Sequence, residues 1–171
     1  MLMSVLVMPA LLKPFELEIG REKIDESVMS SLLQRRSVTF HENTKCFFYY
    51  FAGNSVSPCR VRLHSRTVRS FGFAKATRLQ AVYNRAKKEG YSLCVPETMF
   101  RLLLLPEQVI RAGTACLFAM EPLADKGTLA IPKLTGIRRE RRVLHGFEMV
   151  PGDPFTLYPP STELVFAEVL R

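Results

Sequence analysis

The chain has 171 residues, 47% apolar and 23% charged, which suits one domain with a full core or two small lobes and excludes a disordered polar chain. Its formal net charge of +8 arises in one stretch: residues 58–101 hold ten basic residues and two acids, whereas 1–57 hold six of each and 102–171 hold eight of each. A charge block inside an otherwise balanced chain points to a polyanionic partner more than a uniformly high pI would.

The opening residues 1–12 are apolar but lack the basic n-region and small-residue cleavage site of a signal peptide. They are too few to span a bilayer, and Pro9 and Pro14 interrupt any helix there. The stretch is expected to be a first strand or a ragged terminus of a cytoplasmic protein with no membrane partner. Residues 15–19 alternate apolar and acidic, as a half-buried strand does. A short amphipathic helix is predicted over 25–34, with Ile24, Val28, Leu32 and Leu33 on one stripe. Asp25 and Glu26 at its start and Arg35 and Arg36 at its end suit the helix dipole. Residues 37–40 and 46–51 read as strands, and the run Phe47, Phe48, Tyr49, Tyr50, Phe51 requires cover on both faces.

In the basic region, residues 59–67 alternate cleanly. Arg60, Arg62, His64 and Arg66 fall on one strand face, with Val61 and Leu63 on the other. Residues 77–89 predict a helix with Leu79, Val82, Tyr83 and Ala86 inward and Lys75, Arg78, Arg85 and Lys88 on the outward side. Gly90 stops it, residues 91–95 follow as a short strand, and Pro96 opens a second helix over 97–105 that Pro106 ends. Strands are expected at 114–120, 128–131, 142–150 and 163–170, with proline-rich loops at 151–154 and 159–161. These elements predict an α+β fold, a mostly antiparallel sheet with two to three helices in a single compact domain. Within it, 1–57 forms a possible N-terminal lobe, 58–101 a basic strand–helix region and 102–171 a β-rich region.

The widely spaced Cys46, Cys59, Cys94 and Cys116 match no metal knuckle or redox motif, so buried thiols in a reducing compartment are expected. His41, His64 and His145 are isolated, and there is no G-x-S-x-G elbow, P-loop or G-x-G-x-x-G. Nothing therefore recommends an enzyme, a metal site or a cofactor. The sharpest feature is the row Arg60, Arg62, His64, Arg66. Alternate strand side chains project about 6.6 Å apart, close to the spacing of successive phosphates along a nucleic-acid strand. Guanidiniums in such a row repel one another unless something negative lies over them, and each can grip phosphate bidentately. The alternative is a solvated face whose arginines pair with acids elsewhere in the fold. Arg138, Arg139, Arg141 and Arg142 form a second basic cluster, expected at an exposed turn or strand end.

From Gly72 onward the chain resembles a set of small bacterial proteins without an assigned activity. The resemblance rests on Gly72, Phe73, Tyr83, Arg85, Ala86, Gly90, Leu93, Cys94 and Pro96, then Ala119, Met120, Glu121, Pro122 and Asp125, and a closing Leu164, Val165, Phe166. It covers roughly residues 72–171 and is similar at its C-terminal end to C-type-lectin-like domains. It implies a binding role and supplies no catalytic residue. This chain departs from the pattern in having no Trp and in carrying an arginine cluster in the tail.

The sequence thus predicts a non-enzymatic basic protein that contacts nucleic acid or a ribonucleoprotein surface mainly through phosphates. The expected contacts are Arg60, Arg62 and Arg66, then Lys75, Arg78, Arg85 and Lys88. The alternative is a lectin-like or other protein-interaction module with a protein or glycan partner at the loops near 138–142 and 151–161.

Overall fold

A computed structural model describes residues 8–21, 31, 34, 38–41, 44, 57–125 and 127–171. Its strands are β1 (Phe15–Ile19), β2 (Val38–Phe40), β3 (Cys59–Thr67), β4 (Thr77–Arg78), β5 (Ala115–Phe118), β6 (Leu123–Asp125), β7 (Thr128–Arg139), β8 (Arg142–Pro151), β9 (Leu157–Tyr158) and β10 (Glu163–Leu170). Two helices accompany them, α1 (Leu79–Lys88) and α2 (Pro96–Leu104), with a 3-10 turn over Val68–Phe71. The main sheet runs β1-β3-β10-β5-β7-β8-β2, with β6 against β7, and β4 and β9 form a separate small pair.

The expected α+β fold with a mostly antiparallel sheet is not what forms. Of the described residues 45% are in strands and 19% in helices, and the sheet is curled and mixed. β10 lies parallel to β5, and β2 parallel to β8. The cause is long-range insertion: the last strand returns between β3 and β5 rather than folding back as a hairpin on the strand before it. Alternation in a sequence assigns faces, but it carries no information on partner or direction. The predicted helix at 25–34, the strand at 46–51 with its aromatic run, and Cys46 lie outside the described residues, apart from the isolated Ser31 and Gln34.

Elsewhere the local patterns hold, with instructive shifts. Strands at 59–67 and 163–170 form over the expected residues. The first helix begins at Leu79, because Thr77 and Arg78 pair with Tyr158 and Leu157 instead. Residues 91–95 make no ladder; only Ser92 exchanges backbone hydrogen bonds with Ala167, at 2.7 and 2.9 Å. β7 continues well past 131 although it contains Pro132 and Gly136, residues that weaken a strand pattern. Gly136 is required there: an added Cβ would lie 2.2 Å from the Arg111 carbonyl oxygen, where the 111–114 turn crosses the strand.

The core is organised around β10, whose residues Leu164–Ala167 are buried on both faces. The three regions read from the sequence interleave here, since β1, β3 and β10 are neighbours in one sheet. On one face the Phe166 ring meets Phe71 at 5.3 Å, Tyr91 at 6.0 Å and Tyr83 at 6.2 Å. At the strand's start, buried Glu163 accepts hydrogen bonds from the Ala10 amide at 2.6 Å and from the Ser65 hydroxyl. Burial pushes the Glu163 carboxyl up, and the Ala10 amide partly offsets this. At the sheet's β1 edge, buried Glu97 in the first turn of α2 accepts from the Gly20 amide at 3.0 Å. Among the described residues no helix is long and apolar enough to cross a membrane.

Replacing Phe166 by Ala is expected to cost about 3–5 kcal/mol, because the surrounding aromatic rings cannot collapse into the space. Urea unfolding measures this, and a loss below about 1 kcal/mol would contradict the central role of that ring.

Candidate nucleic-acid interface

The arginine row of β3 forms on one face as its alternation requires, but it does not meet solvent alone. β1 pairs antiparallel with β3 so that Glu16 lies opposite Arg62 and Glu18 opposite Arg60, while Glu168 of β10 lies opposite Arg62 on the other side. Residues directly opposite across strands share a face. Glu16 accordingly accepts from Arg62 at 2.6 Å and from Arg60 at 3.1 Å, and Glu168 takes His64 at 2.7 Å. The Arg62 hydrogen bond holds the Glu16 carboxyl below its ordinary range, so this pairing persists at neutral pH and is lost only as pH falls through that lowered value.

Arg66 is engaged more completely. It donates to the Tyr91 hydroxyl at 2.6 Å and to Ser70 Oγ at 3.1 Å, and its guanidinium lies 5.0 Å from the Phe71 ring centroid and 5.3 Å from that of Tyr91. Glu89 meets both Arg66, at 3.5 Å, and Arg85, at 3.0 Å. Arg66 and Arg85 are thus brought together on one carboxylate at the end of α1, and each is already matched by charge. Lys75, Arg78 and Lys88 are exposed. Arg78 stands over the Phe155 ring, 5.5 Å from its centroid.

The second cluster has a different setting. β7 and β8 pair from Ala130 opposite Pro151 to Arg139 opposite Arg142, joined by a two-residue turn at which Glu140 takes φ 55°. β5 pairs with β7 only over Lys133–Thr135, and β2 with β8 only over His145–Phe147. On the β7 side the hairpin therefore runs on past the end of its pairing with β5, as an arm whose tip is the turn at Glu140. Arg138, Arg139, Arg141 and Arg142 are all exposed on it. Among the described residues none of the four has an acid within ion-pair distance. Arg139 and Arg142 face each other across the ladder, a like-charge juxtaposition that costs stability.

β10 and β5 separate the β3 row from the hairpin: Arg66 lies in register with Leu164, Leu117 and Lys133 across the sheet, and the arm continues from Lys133 towards Arg139.

Beside α1 lies a cleft of about 420 Å³, floored by Phe166 and Tyr83 and edged by Gln80, Asn84, Lys87 and Glu121. Tyr83 donates to the Met120 carbonyl at 3.2 Å, and desolvation raises its pKa far above the ordinary phenol value. Among the described residues no group of three or more His, Cys, Asp and Glu could hold a metal ion. Cys94 and Cys116 are buried, and desolvation raises both thiols well above the nucleophilic range.

What reasoning from the row alone missed is its counter-charges. The needed signal lay in residues 15–19, whose outward acids repeat with the same period as the outward arginines of 59–67.

Glu16→Gln should release Arg60 and Arg62 and delay elution from a heparin column more than Glu121→Gln, which makes the same charge change at an exposed carboxylate with no ion pair among the described residues. Equal shifts in the two variants would show that Glu16 does not mask the row. No protein-family model matches the chain, and neither a curated protein nor a solved structure is significantly similar to it, so the resemblance over residues 72–171 stands on its motif residues alone.

Proposed function

We propose that this is a non-enzymatic, cytoplasmic binding protein that holds nucleic acid, alone or within a ribonucleoprotein, mainly through its phosphates. The observation that carries the proposal is the β7–β8 arm: four arginines within five residues, all exposed, on a ribbon whose β7 edge runs past the end of β5, with no acid paired to them among the described residues. Guanidiniums so placed repel each other, and a polyanion laid over them removes that cost while gaining bidentate hydrogen bonds. A two-stranded ribbon also has the width to enter the major groove of B-form DNA. Contact through phosphates gives affinity with little sequence discrimination. Buried Cys94 and Cys116, in no disulfide among the described residues, suit a reducing compartment.

The row on β3 is secondary, because a phosphate there must displace carboxylates already in place. Lys75, Arg78 and Lys88 supply a separate basic surface.

Replacing Arg138, Arg139, Arg141 and Arg142 by Ala should weaken binding to a 20-base-pair duplex and flatten its log–log salt slope by about 0.9 for each phosphate that the variant no longer neutralises. The variant should unfold at or slightly above the wild-type midpoint, since the four side chains are exposed and mutually repulsive. Unchanged affinity and slope would remove the arm from the interface.

A further inference from the structure

A second ligand site is built where the sequence showed only a loop. The loop after β8 is fixed in four places. The Leu79 and Gln80 amides of α1 donate to the Thr156 and Pro154 carbonyls at 2.9 and 3.1 Å. The Phe155 amide donates to Asp153 Oδ1 at 2.7 Å, and the Thr156 amide to the Asp153 carbonyl at 2.9 Å. Held this way, Phe155 is 70% exposed, the most exposed large apolar side chain among the described residues, and Leu157 two positions on is 60% exposed, so the loop turns two apolar side chains to water. The Arg78 guanidinium, 5.5 Å from the Phe155 ring centroid, adds positive charge beside that ring.

Pro154, the neighbour of Phe155, lines the cleft beside α1. That cleft combines an apolar floor with polar groups of complementary kinds. Gln80 and Asn84 present side-chain amides joined by a 3.0 Å hydrogen bond, with Lys87 one turn further along the helix and Glu121 across the opening. The floor offers no spare hydroxyl from Tyr83, which is spent on the Met120 carbonyl. What remains is an aromatic ring with a cation over one face, amides and a carboxylate that match the edge of a base, and a lysine for phosphate. Those are the elements by which unpaired nucleotides are held.

We propose that the Phe155–Arg78 pair and the adjoining cleft form a site for one unpaired nucleotide, either free or within a single strand. The base stacks on the face of Phe155 away from Arg78, its edge faces Gln80, Asn84 and Glu121, and its phosphate faces Lys87, at the far end of α1 from Arg78. The site stands apart from the arm and does not depend on it.

The test titrates the four ribonucleoside monophosphates and a single-stranded decamer into wild type, Phe155→Ala, Lys87→Gln and the arm variant, following amide and side-chain NMR shifts and binding affinity. Phe155 and Lys87 are exposed, so these variants should keep the wild-type unfolding temperature. The proposal expects saturable shifts at residues 80–87 and 155 and a loss of about tenfold in affinity for Phe155→Ala. Mononucleotide binding without decamer binding identifies a free nucleotide as the ligand, and decamer binding that Phe155→Ala weakens identifies a strand. Mononucleotide and decamer binding that are both equal in wild type, Phe155→Ala and Lys87→Gln overturn the site, as does the absence of saturable shifts with every ligand. Loss of decamer binding in the arm variant alone, with mononucleotide binding intact, leaves this site standing and bears on the arm instead.

Discussion

Everything positioned in this molecule depends on β10 being buried on both faces between β3 and β5. Its antiparallel register with β3 brings Glu168 beside Arg62 and His64, and sets Phe166 under the ring cluster that supports α1. Its parallel contact with β5 carries the sheet onward to the β7–β8 hairpin. Its first residue, Glu163, holds the N-terminal segment through the Ala10 amide. A single strand therefore sets the charge balance of one sheet region, the floor of the cleft and the path to the arm.

The arginines of this chain illustrate how the same side chain takes opposite roles according to its neighbours in register. On β3 the flanking strands supply acids at matching positions, so a row that would repel itself becomes an alternating ladder. Exposed pairs of this kind are individually weak, but they consume the hydrogen-bonding directions a phosphate would need. Arg66 goes further and joins β3, the 3-10 turn and Tyr91 into one unit. On the arm the ladder pairs Arg139 with Arg142, and among the described residues no acid balances the charge. Net charge by segment pointed to residues 58–101; after pairing, that segment keeps Arg69, Lys75, Arg78, Lys87 and Lys88 without an acid among the described residues, and residues 138–142 hold the densest such group.

Much of the local structure was legible. Alternation placed β1 and β3, and the apolar stripe with a closing glycine placed α1, because these features reflect burial on one face; β10 forms over the residues expected of it without alternating. The sheet's order and its parallel pairs were not legible, since they are set by contacts between residues more than a hundred positions apart, such as Glu168 with His64. The masking of the arginine row was half legible: the acidic period of 15–19 was in view, but nothing in either segment alone says that the two are neighbours. The cluster at 138–142 was placed at an exposed turn, where it lies. Its extension past β5 follows from where that strand stops, which no local pattern records. Phe155 was read only within the 151–161 loops of the lectin-like alternative, because the hydrogen bonds that tie its loop to α1 are created by tertiary packing.

The central claim is that phosphate contact occurs on the arm and not on the β3 row. The most direct measurement is arginine footprinting: modification by a dicarbonyl reagent, read residue by residue by mass spectrometry, with and without bound nucleic acid. The account predicts strong protection of Arg138, Arg139, Arg141 and Arg142, with Arg60 and Arg62 unchanged. Protection of Arg60 and Arg62 with the arm still fully reactive would contradict it.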